Sequence, residues 1–382
     1  MTHETLGYGI IGAGYFGAEL ARIIQALPTA RVAAVFSPED APALAAEVRC
    51  DVVGSVAELV AREDVDVVVI ASPNDVHLEP ALLAARHGKH VFCEKPVALS
   101  YADADAMVTA CADAGVVFMA GHVMHFMDGV RRTDELVAAG GIGDVLLARA
   151  ARTGWVDEEH ESPGTPSWKR QRARSGGHLF HHIHELDVVQ LLLGPAERVV
   201  MAGGNVAHQG TAADEDDLLL ATLEHGPGRF SHLEWGSAYR RPEHYVELFG
   251  TRGTVRIDFQ EVGVEVRTPD GVTRFPLHRS AEEDAERRAE YAASRSGGGV
   301  DYGNPAMRPP GWLIGIMERE VAYLHALLRG EREPDPLLAG LTDGHAARAS
   351  IATAEALTRS LAEDRKVSVS EVRDAAPPAR ED

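Results

Sequence analysis

Residues 9–21 read GIIGAGYFGAELA. Gly12, Gly14 and Gly17 form a G-x-G-x-x-G pattern that follows an apolar, strand-like run and opens a helix-like run. In this context the glycines permit a tight turn, a close approach of the backbone to a pyrophosphate and close helix–strand packing, while the helix N-terminus favours phosphate. The stretch therefore predicts a dinucleotide site that includes Tyr15 and Phe16 of the same turn. A plain glycine-rich turn is the structural alternative.

The rest of the first 121 residues repeats this alternation of strand-like and helix-like runs. The helix-like runs carry apolar residues at helical spacing and end at Gly or Pro. Such βαβ repetition predicts a parallel sheet with helices on both faces, so we expect a doubly wound Rossmann domain over residues 1–121. The expected strands are LGYGIIG, RVAAVF, DVVVIAS, KHVFCE and GVVFMAG, and the expected helices are GYFGAELARIIQAL, HLEPALLAARHG and SYADADAMVTACADAG.

After residue 121 the strand-like runs follow one another directly, with turn residues between them. Sequential strands of this kind predict a mostly antiparallel sheet that is open on one face. Residues 122–370 are therefore expected to form a second α/β domain that binds substrate and mediates oligomerisation. Residues 371–382 are expected to be a disordered tail.

Few helices are expected in this second domain. A single helix is predicted near residues 178–193, and a long loop with one short helix is predicted over 280–311. Two further helices are predicted near 312–329 and 341–363, and the second of these is expected to pack back on the first domain.

Composition narrows the class of protein. The 382 residues carry a formal net charge of −21, which argues against nucleic-acid or anionic-membrane partners because such a surface repels phosphate. The chain has no run of about 18 apolar residues, no signal-peptide pattern, and three cysteines without a CxxC pair, so we expect a cytoplasmic protein. The expected partners are a small molecule and, through the open sheet face, further copies of the chain.

The end of the second strand bears on the choice of dinucleotide. An acidic residue usually stands there to bind the ribose 2′-hydroxyl of NAD, but this chain has Ser37 in the sequence VFSPED. Serine tolerates a 2′-phosphate, yet no Arg or Lys occurs between residues 36 and 48, and Glu39 and Asp40 would repel one. The sequence therefore favours NAD, with NADP as the alternative.

Residues 70–100 read IASPNDVHLEPALLAARHGKHVFCEKPVALS. The segment Ser72-Pro73-Asn74 with His77, followed by GKHV and by Glu94-Lys95-Pro96, resembles the glucose-fructose oxidoreductase / inositol dehydrogenase / rhizopine catabolism (Gfo/Idh/MocA) family. The resemblance extends over most of the chain through the G-x-G-x-x-G turn, the EKP segment, the GGIGDV entry to the second sheet and a Gly-Gly helix.

The resemblance implies roles for residues of this segment. Ser72, Asn74 and His77 would line the nicotinamide ribose, Glu94 would lie beside it, and Lys95 would contact both nicotinamide and substrate. Physical chemistry agrees for Lys95, because open α/β sheets place ligands at the carboxyl ends of their strands and a cation there stabilises an alkoxide. A surface lysine at a strand end is the structural alternative.

Residues 175–187 read SGGHLFHHIHELD and contain four histidines. The resemblance places His184 at the family's catalytic histidine and Asp187 at its last acid, while Phe180 stands where the family usually has Asp. His181 is the expected substitute, because it is three residues before His184 on the predicted helix and shares its face. Imidazole can accept the proton that an alcohol loses with its hydride, since its ordinary pKa lies near neutrality.

Two other features of this pocket are expected. The family's G-x-x-x-R after the fifth strand is here GHVMH, which places His122 and His125 near the cofactor. Trp155, at the end of the first strand of the second domain, is a candidate wall for a sugar ring, although core packing is as good an explanation.

A metal is the alternative explanation of the histidines. His178 and His182 are four residues apart and Glu185 would complete that face, a spacing suited to Zn²⁺ or Mn²⁺. Solvated or helix-capping histidines are a third explanation. Because the chemistry of the family does not need a metal, we predict proton transfer by His184 and no metal.

The combined prediction is an oxidoreductase that moves a hydride between nicotinamide and a secondary hydroxyl of a sugar, glycoside or cyclitol. Two rivals belong to other classes. One is an NAD-dependent glycosidase that oxidises a ring hydroxyl only transiently. The other is a non-catalytic dinucleotide sensor, which the intact EKP segment and histidine argue against.

The glycine turn and the second strand generate the first prediction. NAD should bind more tightly than NADP, because Glu39 and Asp40 repel a 2′-phosphate, and Gly14→Val should abolish binding of both by blocking the pyrophosphate. Fluorescence or calorimetric titration with both dinucleotides measures this. Tenfold tighter binding of NADP would show that the cofactor assignment is wrong.

Overall fold

The computed structural model describes residues 5–155, 168–209, 215–295 and 307–375, and these form two sheets. The first sheet has six parallel strands in the order β3-β2-β1-β4-β5-β6. Its elements are β1 (Leu6–Ile11), α1 (Tyr15–Ala26), β2 (Ala30–Phe36), α2 (Ala41–Val48), β3 (Asp51–Val52), α3 (Val56–Val60), β4 (Val67–Ile70), α4 (Leu78–Arg86), β5 (His90–Glu94), α5 (Tyr101–Asp113) and β6 (Phe118–Gly121).

This sheet confirms the predicted Rossmann architecture. Its central strands are apolar throughout because helices cover both faces, and all four residues of β4 are buried. The strand order reverses between β1 and β4, so the crevice at their carboxyl ends is where such sheets bind ligands. Gly12 follows β1, Ser72 lies two residues after β4 and Lys95 follows β5.

The second sheet has nine strands in the order β14-β13-β12-β11-β7-β10-β9-β8-β15. All neighbouring pairs are antiparallel except β7 and β10. Its elements are α6 (Asp128–Ala138), β7 (Val145–Trp155), α7 (Arg172–Ser175), α8 (Gly177–His181), α9 (His184–Leu193), β8 (Arg198–Gly204), β9 (Leu218–Glu224), β10 (Phe230–Gly236), β11 (Ala238–Gly250), β12 (Thr254–Asp258), β13 (Gly263–Thr268), β14 (Gly271–Phe275), α10 (Ala281–Arg295), α11 (Gly311–Leu328), α12 (Ala339–Thr342), α13 (His345–Glu363), β15 (Val367–Ser368) and α14 (Val369–Ala375).

Burial alternates along the strands of the second sheet, as expected when helices cover one face only. In β9, Leu219, Ala221 and Leu223 are buried, whereas Leu220 is exposed. The mostly antiparallel sheet and its open face are therefore as predicted. Self-association through that face stays a prediction.

Three local predictions for the second domain are wrong. The single helix over 178–193 is divided into α8 and α9, with His182 between them in a non-helical conformation. The short helix of the 280–311 loop is the 15-residue α10, whose charged sequence favours a helix over a loop. Residues 371–375 end helix α14, which packs on α13, so the expected tail begins at residue 376, outside the described residues.

Helix α13 lies against both domains. Arg348 Nε donates to Asp105 Oδ1 of α5 at 2.6 Å, and the backbone N–H of Tyr101 donates to Glu355 Oε2 at 2.6 Å. On its other side α13 packs on β8 and α9. The helix thereby holds the histidine segment close to the carboxyl edge of the first sheet.

Of the helices in the described ranges, none combines the length and the apolar content that crossing a bilayer requires.

Candidate active site

The glycine turn after β1 is shaped by close contacts. Gly12 has a positive φ of 95°, and a side chain at Gly17 would lie 1.9 Å from the carbonyl oxygen of Gly12. These two positions therefore need glycine for the fold itself. Gly14 differs, because a Cβ there would meet nothing within 4 Å. Its hydrogen faces open space, which is the arrangement that lets a pyrophosphate approach the backbone.

That space is a cleft of about 640 Å³. Gly12, Gly14, Tyr15, Phe16 and Ser37 line one part of it, as predicted for a dinucleotide site. Ser72 lines it too, and its buried Oγ has no hydrogen-bond partner among the described residues. The cleft thus offers a backbone cradle and an unused polar group that fit a bound NAD.

Both acidic and basic side chains line this cleft. Glu39 and Asp40 lie beside Ser37, as the sequence predicts, but Lys169 and Arg174 of the second domain also line it. Sequence reasoning confined to residues 36–48 did not include these two cations, which come from a distant part of the chain.

The segment after β4 positions its neighbours. His77 is 1% exposed, with Nε2 2.9 Å from the carbonyl oxygen of Ser72 and Nδ1 3.2 Å from that of Val97. Asn74 is also buried and donates through Nδ2 to the carbonyl oxygen of Ser175 at 2.9 Å. Both side chains therefore hold neighbouring loops, and their contact with the nicotinamide ribose stays a prediction.

Lys95 reaches from the first domain to the second. It follows β5, precedes a cis peptide bond to Pro96, and donates through Nζ to the carbonyl oxygen of His181 at 3.4 Å. Burial lowers the pKa of Lys95 to about 8, although the neighbouring Glu94 opposes that shift. A cation poised near neutral pH therefore lies at the carboxyl edge of the sheet, next to the histidine segment.

Two carboxyl groups, the half-buried Glu94 and the buried Glu320, lie close enough to each other to interact next to Lys95. Burial raises the pKa of Glu94 to about 7, with Lys95 opposing the shift. Burial raises the pKa of Glu320 on α11 as well, and the charge of Glu94 adds to the effect. One of the two therefore tends to be protonated near neutral pH.

Glycines and a helix break define the histidine segment. Gly176 has a φ of 82°, and a side chain there would lie 2.5 Å from the Cβ of Phe180. The chain then leaves the helical conformation at His182, whose carbonyl oxygen accepts from Trp235 Nε1 at 3.2 Å. His184 consequently starts a new helix, so the prediction that His181 shares a helix face with it is wrong.

Three histidines of this segment, His181, His182 and His184, have pKa values that favour the neutral imidazole. Burial lowers the pKa of His184 well below its ordinary value, and the charges of Lys95 and Arg152 lower it further. The pKa values of His181 and His182 are lowered in the same way, first by burial and then by nearby cations. His184 Nδ1 has no hydrogen-bond partner among the described residues. A neutral imidazole beside a cation is suited to accept a proton from a substrate hydroxyl.

His122 and Asp187 are buried against each other, and their predicted role in substrate binding stays a prediction. His122 Nδ1 lies 3.1 Å from Asp187 Oδ2, and His125 Nε2 hydrogen-bonds the same oxygen at 2.7 Å. Ser350 Oγ of α13 donates to Asp187 Oδ1 at 3.0 Å. Burial opposes ionisation of Asp187, but the two histidines outweigh it and lower its pKa. These contacts of Asp187 with His122, His125 and Ser350 hold α9 against the first domain and α13.

Glu185, which a metal site with His178 and His182 would need, contacts His244 and Arg152 instead. Its Oε1 lies 2.7 Å from His244 Nε2 and 3.5 Å from Arg152 Nη1. Among the described residues no three His, Cys, Asp or Glu side chains are arranged as metal ligands. The face that would join His178, His182 and Glu185 is divided by the helix break.

Trp155 lies at the edge of the site, at the end of β7. The guanidinium carbon of Arg240 is 3.4 Å from the centroid of its ring, and the ring of His208 lies 5.0 Å away. Its predicted contact with a sugar stays a proposal, because residues 156–167 beyond it lie outside the described ranges.

Arg152 and His244 are site residues that sequence reasoning missed. A signal was present for Arg152. The alternation of β7 places it on the same inward face as Ala148 and Ala150, where an arginine is unusual. No local pattern points to His244, which reaches Glu185 only through strand pairing.

Two protein-family models match the chain, one for each of the two domains. The model described as oxidoreductase family, NAD-binding Rossmann fold, matches residues 6–122. The model described as oxidoreductase family, C-terminal alpha/beta domain, matches residues 134–369. The chain belongs to the Gfo/Idh/MocA oxidoreductase family. The family is thus as predicted, and the first domain of this Gfo/Idh/MocA protein is an NAD-binding one.

Individual relatives are similar over nearly their whole length. The chain is 49% identical to the 2,7-anhydro-N-acetylneuraminate hydratase of Mediterraneibacter gnavus, over 97% of this chain and 98% of that protein. It is 44% identical to the Escherichia coli enzyme of the same name, over 96% and 98%. An inositol 2-dehydrogenase of Rhizobium meliloti is 30% identical over 72% and 82%.

Among solved structures, an Agrobacterium radiobacter oxidoreductase crystallised with NAD⁺, L-tartaric acid and magnesium has a TM-score of 0.76. It is 21% identical and covers 97% of this chain and 99% of its own. At that identity the likeness concerns the fold.

The position of Lys95 predicts a pH dependence in this Gfo/Idh/MocA protein. If its ammonium group stabilises the substrate oxygen, kcat/KM should fall as pH rises through about 8, because the cation is then lost. Lys95→Ala should retain NAD binding, lower kcat/KM roughly 10²-fold or more, and lose the alkaline limb. Initial rates across pH, with the best substrate of a sugar and glycoside panel, measure this. Lys89→Ala, at the other end of the same strand, is the control, and a Lys95→Ala variant with more than half of the activity would assign Lys95 to the surface.

His184 generates a separate prediction. His184→Ala should slow NAD reduction in a single turnover by about 10²–10⁴-fold, because the hydroxyl proton has no acceptor. His181→Ala should slow that step less, and His87→Ala, an exposed histidine on the first domain, should leave it unchanged. Stopped-flow absorbance of the reduced cofactor follows the step. A chelator-sensitive rate with stoichiometric bound metal would instead support the metal alternative.

Proposed function

We propose that this protein is an NAD-dependent hydratase that opens the internal anhydro bond of 2,7-anhydro-N-acetylneuraminate, or of a close analogue, without net oxidation. The observation that carries the proposal is the 49% and 44% identity to two hydratases of that name over almost the whole of each chain. Of the functions considered from the sequence, a hydratase is nearer to the enzyme that oxidises a ring hydroxyl transiently than to the simple dehydrogenase.

The chemistry of the substrate explains why a hydratase would belong to an oxidoreductase family. The bond to be opened joins the anomeric C2 to O7, and C3, a methylene, lies between C2 and the hydroxyl-bearing C4. NAD held at the Gly12–Gly17 turn would supply reversible hydride transfer at C4, so that C4 is oxidised and later reduced again. While C4 is a ketone, the C3–H is acidic, so a base can take that proton as the C2–O7 bond breaks, which leaves a C2=C3 double bond and a proton on O7. Water then adds its hydroxyl to C2 and a proton returns to C3, which balances as the addition of one water.

Two residues are proposed to act at the C4 oxygen. The Lys95 ammonium group would lie against it, where it stabilises both the alkoxide and the enolate that forms when C3 loses its proton. His184 would accept the hydroxyl proton and later return it, because its imidazole is held neutral by burial and by the neighbouring cations.

A third group is required, because a hydratase must also move a proton at C3. We assign this to His181. Its carbonyl oxygen accepts from Lys95 Nζ, and of the nearby charges Lys95 affects its pKa most, which places it on the Lys95 side of the segment. A dehydrogenase needs one proton acceptor, whereas this segment supplies more than one neutral imidazole.

A dehydrogenase with net turnover of NAD is the second candidate. It is favoured by the 30% identity to an inositol 2-dehydrogenase, which covers less of both chains. The two candidates share Lys95 and His184 and differ in whether the reduced cofactor accumulates.

A reaction in D₂O with 2,7-anhydro-N-acetylneuraminate and a substoichiometric amount of NAD separates the candidates. We expect complete conversion to N-acetylneuraminate that carries solvent deuterium at C3, with no net rise in the absorbance of the reduced cofactor. His181→Ala should slow deuterium incorporation more than it slows single-turnover NAD reduction. Accumulation of reduced cofactor in proportion to product would establish the dehydrogenase, and product without deuterium would rule out the elimination step.

A further inference from the structure

Arg152 is placed by strand pairing beside the histidine segment. It lies on the inward face of β7, opposite Trp235 of β10 and His244 of β11. Trp235 in turn hydrogen-bonds the carbonyl oxygen of His182. The arginine therefore lies under the break between α8 and α9, on the side of the second sheet that faces the first domain.

Among the described residues, the guanidinium group of Arg152 makes its contacts through Nη1 alone. Nη1 lies 3.2 Å from His244 Nε2 and 3.5 Å from Glu185 Oε1. Nη2 and Nε make no hydrogen bond to the described residues, and the side chain is 33% exposed. His244 is held from its other side by the hydroxyl of Tyr291 at 3.3 Å. The group is thus fixed at one nitrogen while the rest of its donors remain available.

Pairing with Glu185 does not account for this arrangement. The better contact of Glu185 is with His244, at 2.7 Å, and its Oε2 has no hydrogen-bond partner among the described residues. An arginine whose purpose was to neutralise Glu185 would form the two parallel hydrogen bonds that suit a carboxylate. Arg152 instead leaves one carboxylate oxygen without a partner.

Cations and acids both surround this site. Lys95, Lys169 and Arg152 all lie close enough to His181 to lower its pKa. Of the acids, Glu185 is paired with His244, Asp187 lies between His122 and His125, and Glu215 lies 3.9 Å from His178. Arg152 is the cation with guanidinium nitrogens that these acids do not use, so it is the group suited to an anionic ligand.

We propose that Arg152 binds a carboxylate group of the substrate and makes this site selective for sugar acids over neutral sugars. The identity of the acid rests on the proposed function, since N-acetylneuraminate derivatives carry a carboxylate at C1, attached to the anomeric carbon. The planar fork of arginine matches a carboxylate, and its free edge is the part left available. Arg152 would then orient the ring, with the C4 hydroxyl toward Lys95 and His184.

The test compares 2,7-anhydro-N-acetylneuraminate with its methyl ester, which removes the negative charge and adds one methyl group. For the wild type we expect kcat/KM for the acid to exceed that for the ester at least tenfold. Arg152→Met should lower the value for the acid roughly 10²-fold, mainly through KM, and lower that for the ester by a much smaller factor, so that the preference for the acid falls to about onefold. Arg152→Lys should recover part of the preference. Arg149→Met, which removes the same charge from the opposite face of β7, should behave as the wild type.

Thermal unfolding and NAD titration verify that each variant is folded. Equal losses for acid and ester in a folded Arg152→Met variant, or no loss for the acid, would overturn the proposal and leave Arg152 as a partner of Glu185.

If the wild type converts neither the acid nor the ester, the proposed function is wrong. The assignment of Arg152 to a carboxylate is then tested separately. Binding of glucuronate and glucose to the NAD-loaded protein then decides the assignment. Tighter binding of glucuronate that Arg152→Met abolishes supports it, and equal binding of the two sugars by the wild type overturns it.

Discussion

The buried carboxylate of Asp187 connects the parts of the molecule that must meet for chemistry to occur. It accepts from His125 and lies against His122, which follow the last strand of the first sheet, and it accepts from Ser350 of α13. A carboxylate without these partners would be costly to bury, so the three segments are held together as one group. Because Asp187 lies one turn after His184, the same contact fixes the start of α9 relative to the first domain.

Two further hydrogen bonds across the domain boundary also hold the histidine segment against the first domain. Asn74 donates to the carbonyl oxygen of Ser175 before the glycine pair, and Lys95 donates to that of His181 after it. Backbone carbonyls, rather than side chains, are the acceptors in both cases. These links leave the imidazoles of His181 and His184 available to a ligand while the backbone of the segment is held in place.

Electrostatics then sets the protonation of the site. Burial and the cations Lys95, Lys169 and Arg152 keep the histidines neutral, while burial brings the pKa of Lys95 down to about 8. Neutral bases beside a positive charge suit a reaction that removes protons from O–H and C–H groups next to a developing anion. The pKa values of Lys95 and of the histidines depend on charged groups from both domains. The protonation of the site is therefore set only when the two domains are packed together.

The sequence by itself determined the Rossmann domain and the dinucleotide turn. It also indicated Lys95 and His184 as candidates for catalysis. These signals are local, because a phosphate turn or a strand-end lysine needs particular residues at fixed spacing. Tertiary structure decided the break at His182, the burial of His77, His122 and Asp187, and the pairing of Arg152 with His244. Those features depend on strand register and on helix packing between residues far apart in the chain, for which no short pattern exists. The charge that surrounds a group, and hence its pKa, is likewise a property of the folded molecule alone.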